Sequence, residues 1–514
     1  MLPDFLEREC APLAANVPAA RAVVDAARWR ETAEAMHAAG ADLLTLWGAD
    51  DRDRDGCMRI HAAYLLRDRI VVVEHAMPAD APVYPALAER FPAASRMQRA
   101  VFDLLGIQAD GGDTRPWLRH GGWPERVYPL RRDVGPAQTY PAHETPYPFV
   151  RVEGEGVHEV TVGPIHAGTI EPGHFRMSVV GEKVLRLEVR LGYTHRGIAK
   201  RFETLKLAQG HRLAARICGD STVAYSWAYC AAYEAIADVS IPPRAAVLRA
   251  LALERERLAN HLGDLGALGN DAGFAFGLTQ FSSLKERLLR HNAHSYGQRY
   301  LFDYIVPGGV AADLPAVAPA AMLEEIAALE RAVRELRAIY DDHAGLQDRF
   351  RGAGRLAPEI AQSLGALGLV GRASGIARDL RADLPWAPYE MLLVKPASSV
   401  DGDVAARVAV RFEETFASLR LCRQLLEALP EGAVRTDLPA SPPARLGLGV
   451  IEGWRGPLMI ALEAGADGTI RRCHAHDPSW QNWPLIEYAA LDNIVPDFPL
   501  INKSFNLSYS GHDG

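Results

Sequence analysis

The side chains best suited to chemistry fall in short, widely separated blocks. Gly163-Pro164-Ile165-His166-Ala167-Gly168 runs toward Glu171-Pro172-Gly173-His174-Phe175-Arg176, and Gly192-Tyr193-Thr194-His195-Arg196-Gly197 follows. Arg216-Ile217-Cys218-Gly219-Asp220 carries a thiol beside a carboxylate. Glu254-Arg255-Glu256-Arg257 leads to His261, and Ala373-Ser374-Gly375 precedes Asp379-Leu380-Arg381. Such groups, gathered in a low-dielectric pocket, have shifted pKa values and can relay protons. A histidine among them can protonate a reduced acceptor. The same groups can equally satisfy backbone carbonyls and hold loops together. His195 and Arg196 are open to both readings. Asp379 and Arg381 read as an ion pair. Glu254 and His261 share one helix face, and with Glu256 they read as a structural network.

A further cluster, Cys473-His474-Ala475-His476-Asp477, has ligand types that suit zinc. On an alternating strand, however, Cys473, Ala475 and Asp477 face one side and His474 and His476 the other. A complete four-ligand site is therefore not expected. The six cysteines include no C-x-x-C pair. That argues against a disulfide framework and against an iron–sulfur cluster held by this chain.

These blocks need elements to position them. Ala20–Gly40 is Ala-rich and predicted helical. Met58–Glu74 reads as two strands around a polar turn at Arg67-Asp68-Arg69, and Ser95–Leu105 as a helix. From Gly111 to Pro148 the chain is Pro- and Gly-rich and reads as an extended connector. Strands are expected at Val157–Val162 and Arg176–Val189, the latter hairpin-like around Gly181-Glu182. A long helix should follow Pro242-Pro243, with Val247, Leu251, Leu258, Leu262 and Leu265 on one apolar stripe. Ala318–Gly352 and Val404–Leu429 read as amphipathic helices with solvated or interfacial charged faces. After Leu446, alternation returns and suggests a terminal sheet. Trp480, Trp483 and Tyr488 read as packing of that final region. The fold class is α+β: a small α+β domain over 1–135, a linker over 136–155, and a mainly helical domain with small flanking sheets over 156–514.

With 514 residues, the chain is too long for one compact core. Its 48% hydrophobic and 23% charged residues are ordinary for a globular protein. A net charge of −8 without a basic run argues against nucleic acid as a partner. There is no apolar run near membrane-spanning length, and the opening Met1-Leu2-Pro3-Asp4 does not read as a signal peptide. A cytoplasmic chain that reaches a membrane only through partners is expected.

The order and spacing of the blocks, with Pro307-Gly308-Gly309-Val310 between them, resemble the large subunit of the complex I / group 4 [NiFe]-hydrogenase superfamily. Arg90-Phe91-Pro92-Ala93-Ala94, Phe102-Asp103-Leu104-Leu105-Gly106-Ile107 and Tyr128-Pro129-Leu130-Arg131-Arg132-Asp133 resemble the 30-kDa subunit of complex I. The resemblance therefore implies a 30-kDa-like module fused to a 49-kDa-like one, as in formate hydrogenlyase. It implies a [4Fe–4S] partner subunit, with membrane partners resembling complex I subunit 1 and the antiporters. It places the chain on the inner face of the cytoplasmic membrane. The activity implied is electron transfer from the iron–sulfur partner to a quinone or another acceptor. The alternatives are a redox-silent coupling scaffold and, remotely, an active hydrogenase.

In the active hydrogenases of this superfamily, four thiolates hold nickel and iron. The corresponding positions here are Cys218, Ser221, Ser508 and Gly511. One soft ligand of four remains, so no working centre is expected and Cys218 reads as a vestige. Ala199 stands where the superfamily usually has a glutamate. Gly514 follows closely on the former ligand segment, so no cleavable extension is expected. For complex I, His166 matches the first quinone-site histidine and His174 only approximates the second. The quinone-site tyrosine falls at Gly219, with Tyr225 nearby. The resemblance thus assigns His166, Glu171, His174, His195, Arg196, Asp220, Asp379 and Arg381 to the lining or approaches of a cavity beside the partner's cluster.

Overall fold

The computed structural model describes residues 4–141, 146–168 and 170–514. Part of the expected linker, 142–145, and the opening 1–3 lie outside the described residues.

The first module is built from β1 (Ala19–Val24), α1 (Ala26–Ala38), β2 (Asp42–Asp51), β3 (Cys57–Leu65), β4 (Ile70–Pro78) and α2 (Ala94–Leu105). The sheet order is Ala11–Pro12, β1, β4, β3, β2. The β3–β4 hairpin closes at the polar turn, with Leu65 opposite Ile70. One expectation is corrected here. Ala19–Val24 is a strand parallel to β4, not the start of a helix. β-Branched Val23 and Val24 and the available edge of β4 outweigh the helix propensity of alanine. The helix begins only after Asp25, whose carboxylate accepts the Arg28 N–H at 2.8 Å.

The connector carries no long element and delivers the chain to an antiparallel sheet of β5 (Val157–Val162), β6 (His174–Val180) and β7 (Lys183–Arg190), ordered β7–β6–β5. The helical body follows: α3 (Thr222–Ala237), α4 (Pro243–Asp271), α5 (Ala275–Tyr296), α6 (Ala318–Asp342) and α7 (Val404–Glu427). Proline starts α4, where a missing N–H costs nothing. The predicted apolar stripe of α4 is buried, but so are Arg249, Glu254, Arg255, Arg257 and His261, all without exposure. Helix α7 keeps the expected solvated charged face at Glu413, Arg420 and Glu427, but its other charges turn inward. Arg407, Arg411 and Glu414 are buried, because each meets a partner inside the body. The helix expected over 318–352 breaks at His343, whose extended backbone and side chain cap a second helix at Ala344–Phe350.

The terminal sheet is β8 (Leu446–Glu452), β9 (Pro457–Ala464) and β10 (Ile470–His476), followed by α8 (Ser479–Ala489). Ala14–Ala15 from the N-terminal region adds a parallel strand beside Gly447–Leu448. Asn16 fixes it by exchanging two hydrogen bonds with the Val450 backbone, at 2.9 and 2.8 Å. Trp480 and Trp483 pack inside, whereas Tyr488 is 45% exposed, against expectation, on the outer face of α8. Among the described residues, no helix is long and apolar enough to cross a membrane.

Helix α3 lies directly on β8, and Gly449 permits the approach: a Cβ there would sit 1.7 Å from the Ala228 carbonyl oxygen. Gly449→Ala is predicted to cost about 3 kcal/mol, the upper range for overpacking. Thermal or urea unfolding reads it; a cost below about 1 kcal/mol would contradict this packing.

Candidate functional site

The loop before α3 places Cys218, Asp220 and Ser221 against the C-terminal segment and the β8–β9 turn. A chain of hydrogen bonds crosses the gap. The Gly511 N–H donates to Ser508 Oγ at 2.8 Å, the Ser508 hydroxyl donates to Cys218 Sγ at 3.0 Å, and the thiol donates to Asp220 Oδ1 at 3.0 Å. Arg455, in the Gly453-Trp454-Arg455-Gly456 turn, grips both Asp220 oxygens at 2.6 Å. Trp454 Nε1 donates to Ser221 Oγ at 3.1 Å. Burial, reinforced by the Asp220 charge, pushes the Cys218 thiol well above its usual range.

A Cβ at Gly511 would lie 2.5 Å from Asp477 Oδ2 and 2.8 Å from Ser508 Oγ. Asp477 is itself held, accepting the Tyr225 hydroxyl at 2.7 Å. The four positions that the resemblance singles out therefore converge, and side chains of this protein fill the space between them. Arg455 and Trp454 escaped sequence reading. Their signal was a Trp-Arg pair set between two glycines in what otherwise reads as an ordinary hairpin turn.

The other predicted residues separate into groups. Glu171 Oε2 accepts the Ser510 N–H at 3.1 Å, and the His166 ring lies 6.3 Å from the Tyr509 ring. His195 Nδ1 bonds the Asp513 carbonyl at 2.8 Å, and Arg196 donates to the Ile217 carbonyl at 2.6 Å. These residues surround the C-terminal segment beside Cys218. His174 lies apart, its Nδ1 3.4 Å from the Gly163 carbonyl and its ring against Phe149. Ala199 lines an apolar cavity of about 90 Å³ at the seam with the first module. His474 meets Thr45 Oγ1 at 2.8 Å across the same seam, and neither nitrogen of His476 has a partner. Among the described residues, no cluster of three or more His, Cys, Asp or Glu is placed to hold a metal ion.

Asp379 and Arg381 lie elsewhere, in a buried ionic network. Arg381 bonds both Asp379 oxygens at 3.0 and 2.6 Å and Glu254 at 2.8 and 3.0 Å. Arg372 joins Glu414 at 2.6 Å and Glu452 at 2.9 Å, and His261 meets Glu414 at 2.8 Å. Burial with the Asp379 charge pushes Glu452 up to about 7. The network reaches the Cys218 region through Arg257, which donates to the Glu452 and Gly453 carbonyls immediately before Trp454 and Arg455, and through the His261 ring, edge-on to Trp454 at 6.2 Å. Glu256 points the other way, accepting the Val223 and Ala224 N–H groups at 2.6 and 3.2 Å. Burial outweighs those bonds and pushes it up to about 8.

Comparison with known proteins finds two family matches along the chain. Residues 22–140 match the respiratory-chain NADH dehydrogenase 30 Kd subunit family, and residues 271–447 the 49 Kd subunit family. Formate hydrogenlyase subunit 5 of Escherichia coli is 32% identical over 483 residues, covering 92% of this chain and 85% of that one. Hydrogenase-4 component G of the same organism is 31% identical, covering 92% and 83%. An NADH-quinone oxidoreductase subunit from Bacteroides thetaiotaomicron is 28% identical, covering 87% and 89%. A chain of the archaeal membrane-bound sulfane sulfur reductase shares the fold, with a TM-score of 0.66 at 23% identity over 70% of this chain. The chain belongs to the complex I / group 4 hydrogenase-related family, as a fused 30-kDa and 49-kDa subunit.

Two outcomes are predicted. Arg381→Met, which strands two buried carboxylates, should destabilise by about 3–5 kcal/mol; a loss under about 1 kcal/mol would contradict the network. For Glu256, the native state holds its proton up to about pH 8, whereas an unfolded glutamate releases it near 4.5. Between those values the native state binds more protons, so stability is fullest below 4.5 and declines as pH rises through 8. Glu256→Gln should therefore lose less melting temperature between pH 5.5 and 8.5 than the wild type. Equal losses would place the proton elsewhere.

Proposed function

We propose that this chain is the large peripheral-arm subunit of a membrane-bound, complex I-like oxidoreductase. It receives electrons from a [4Fe–4S] partner, delivers them to a quinone or another acceptor, and works without nickel and iron. The membrane is reached through subunit 1-like and antiporter-like partners.

The observation that carries this reading is the filled space at Gly511. Nickel and low-spin iron need several soft thiolates at paired spacing. Here the positions supply one thiol, two hydroxyls and a glycine whose side-chain space is held by Asp477. That set does not fit a nickel–iron centre. The relatives named as NADH-quinone oxidoreductase and sulfane sulfur reductase support an oxidoreductase whose acceptor varies on a common scaffold. What this chain's own residues offer is proton handling: the Tyr225–Asp477 pair and the Asp220–Arg455 pair both lie beside Cys218. His166 and His195 flank the same segment.

The test uses the purified intact complex. Metal analysis should find nickel far below one per chain, with no hydrogen-driven dye reduction, while quinone analogues oxidise the partner's reduced cluster. Cys218→Ser should leave that turnover within about twofold, since the thiol only bridges hydrogen bonds. Stoichiometric nickel with hydrogen uptake would sink the metal-free reading. A complex whose cluster no quinone analogue reoxidises would favour a redox-silent scaffold instead.

A further inference from the structure

A second concavity, of about 220 Å³, opens where the connector crosses the β7–β6–β5 sheet. Arg119, Arg176, Arg190, His120 and His174 line it, with aromatic rings between them; among the described residues no Asp or Glu does, although Arg176 pairs with Glu159 at 3.0 Å and Arg119 with Glu125 at 3.3 Å from outside it.

Arg190, at the end of β7, is the unusual member. It is 3% exposed. Its Nη1 donates to the Trp117 carbonyl, its Nε has no partner, and among the described residues it forms no ion pair. Other buried arginines are answered. Arg249 holds Glu234, Arg411 holds Asp264, and Arg455 holds Asp220. Arg407 and Arg472 lack an acid but donate to three and two acceptors respectively. A buried guanidinium with one hydrogen bond and no counter-charge is costly. Burial, with Arg99 adding repulsion, pushes Arg190 down to about 10, which still leaves it cationic at neutral pH. Two further atoms on the same wall lack partners, Arg176 Nε and His174 Nε2. Tyr147 covers one face of the Arg190 guanidinium at 4.3 Å. The Tyr193 ring lies tilted against His120 at 4.4 Å.

We propose that this pocket binds a compact carboxylate-bearing anion, with the Arg190 guanidinium as its principal contact and Arg176 at its rim. Guanidinium matches a planar carboxylate in charge and shape. An anion there supplies the missing counter-charge, and the rings of Tyr147 and Tyr193 leave room for a flat body beside the charged end. The assignment is independent of the redox reading, since no electron or proton transfer is part of it.

Isothermal titration calorimetry of the full chain, and of the intact complex, with formate, benzoate and inorganic phosphate at low salt tests it. Saturable binding of formate or benzoate is expected, weakening as sodium chloride rises. Arg190→Gln should weaken it about tenfold or more. Arg176→Gln should weaken it roughly threefold, as a rim charge does, and it carries the test if Arg190→Gln does not fold. Three results would overturn the proposal: no saturable binding of either carboxylate, phosphate binding without carboxylate binding, or carboxylate affinity unchanged by both substitutions. Binding by the free chain that vanishes in the intact complex would also overturn it, by assigning Arg190 to a partner's carboxylate.

Discussion

Buried charge on α4 sets the arrangement of everything around it. The helix carries Arg249, Glu254, Arg255, Arg257, His261 and Asp264 through the middle of the body. None of these can be left unpaired there without a cost of several kcal/mol. Each therefore dictates a neighbour. Arg249 requires Glu234 of α3, Arg255 requires Glu325 of α6, and Asp264 requires Arg411 of α7. Glu254 requires Arg381, and Arg257 claims the carbonyls that end β8. Apolar helices could slide past one another by a turn at modest cost. These cannot, because a slide of one turn would strand several ions at once. The pairs thus fix register, and their net contribution to stability is a separate matter.

That register decides where the β8–β9 turn emerges, and so where Arg455 points. The guanidinium lies over the Trp454 ring at 3.9 Å and takes both oxygens of Asp220. It also donates to the Asn506 carbonyl at 2.6 Å, which ties in the segment leading to Ser508. One side chain thus ties together the loop before α3, the last sheet and the C-terminal segment. The polar filling around Cys218 is ordered as a whole for this reason, with each donor facing an acceptor.

The elements were largely legible in the sequence. The strands of 157–162 and 174–190 and the helix opening at Pro243 follow from alternation, turn residues and proline position, which are local signals. What failed was non-local. Val23 and Val24 joined a strand because β4 offered an edge, which no window around them reveals. Arg407, Arg411 and Glu414 of α7 are not separated in sequence from its solvated or interfacial charges, because periodicity shows where charges lie and says nothing of what meets them. Asp477 was visible as one of a Cys-His cluster, yet its role comes from Gly511 and Tyr225, both distant in sequence. Arg190 lies one residue past the strand expected at Arg176–Val189 and does not stand out in sequence, because its lack of an ion pair among the described residues is a fact of three dimensions.

The residues that look most catalytic in sequence act here as clamps on one another. Asp513 accepts the N–H groups of Gly192 and Thr194 and the Thr194 hydroxyl, at 2.9, 2.9 and 2.6 Å. The His195 ring and the Arg196 N–H meet the Asp513 and Gly514 carbonyls, and Glu171 takes the Ser510 N–H. Every one of these bonds holds the segment that carries Ser508 and Gly511. The segment is thus held along its length by residues from the loop between β5 and β6 and from the loop after β7. Asp513, buried at 2% exposure, pays a desolvation cost that these bonds offset, so the clamp and the segment order one another.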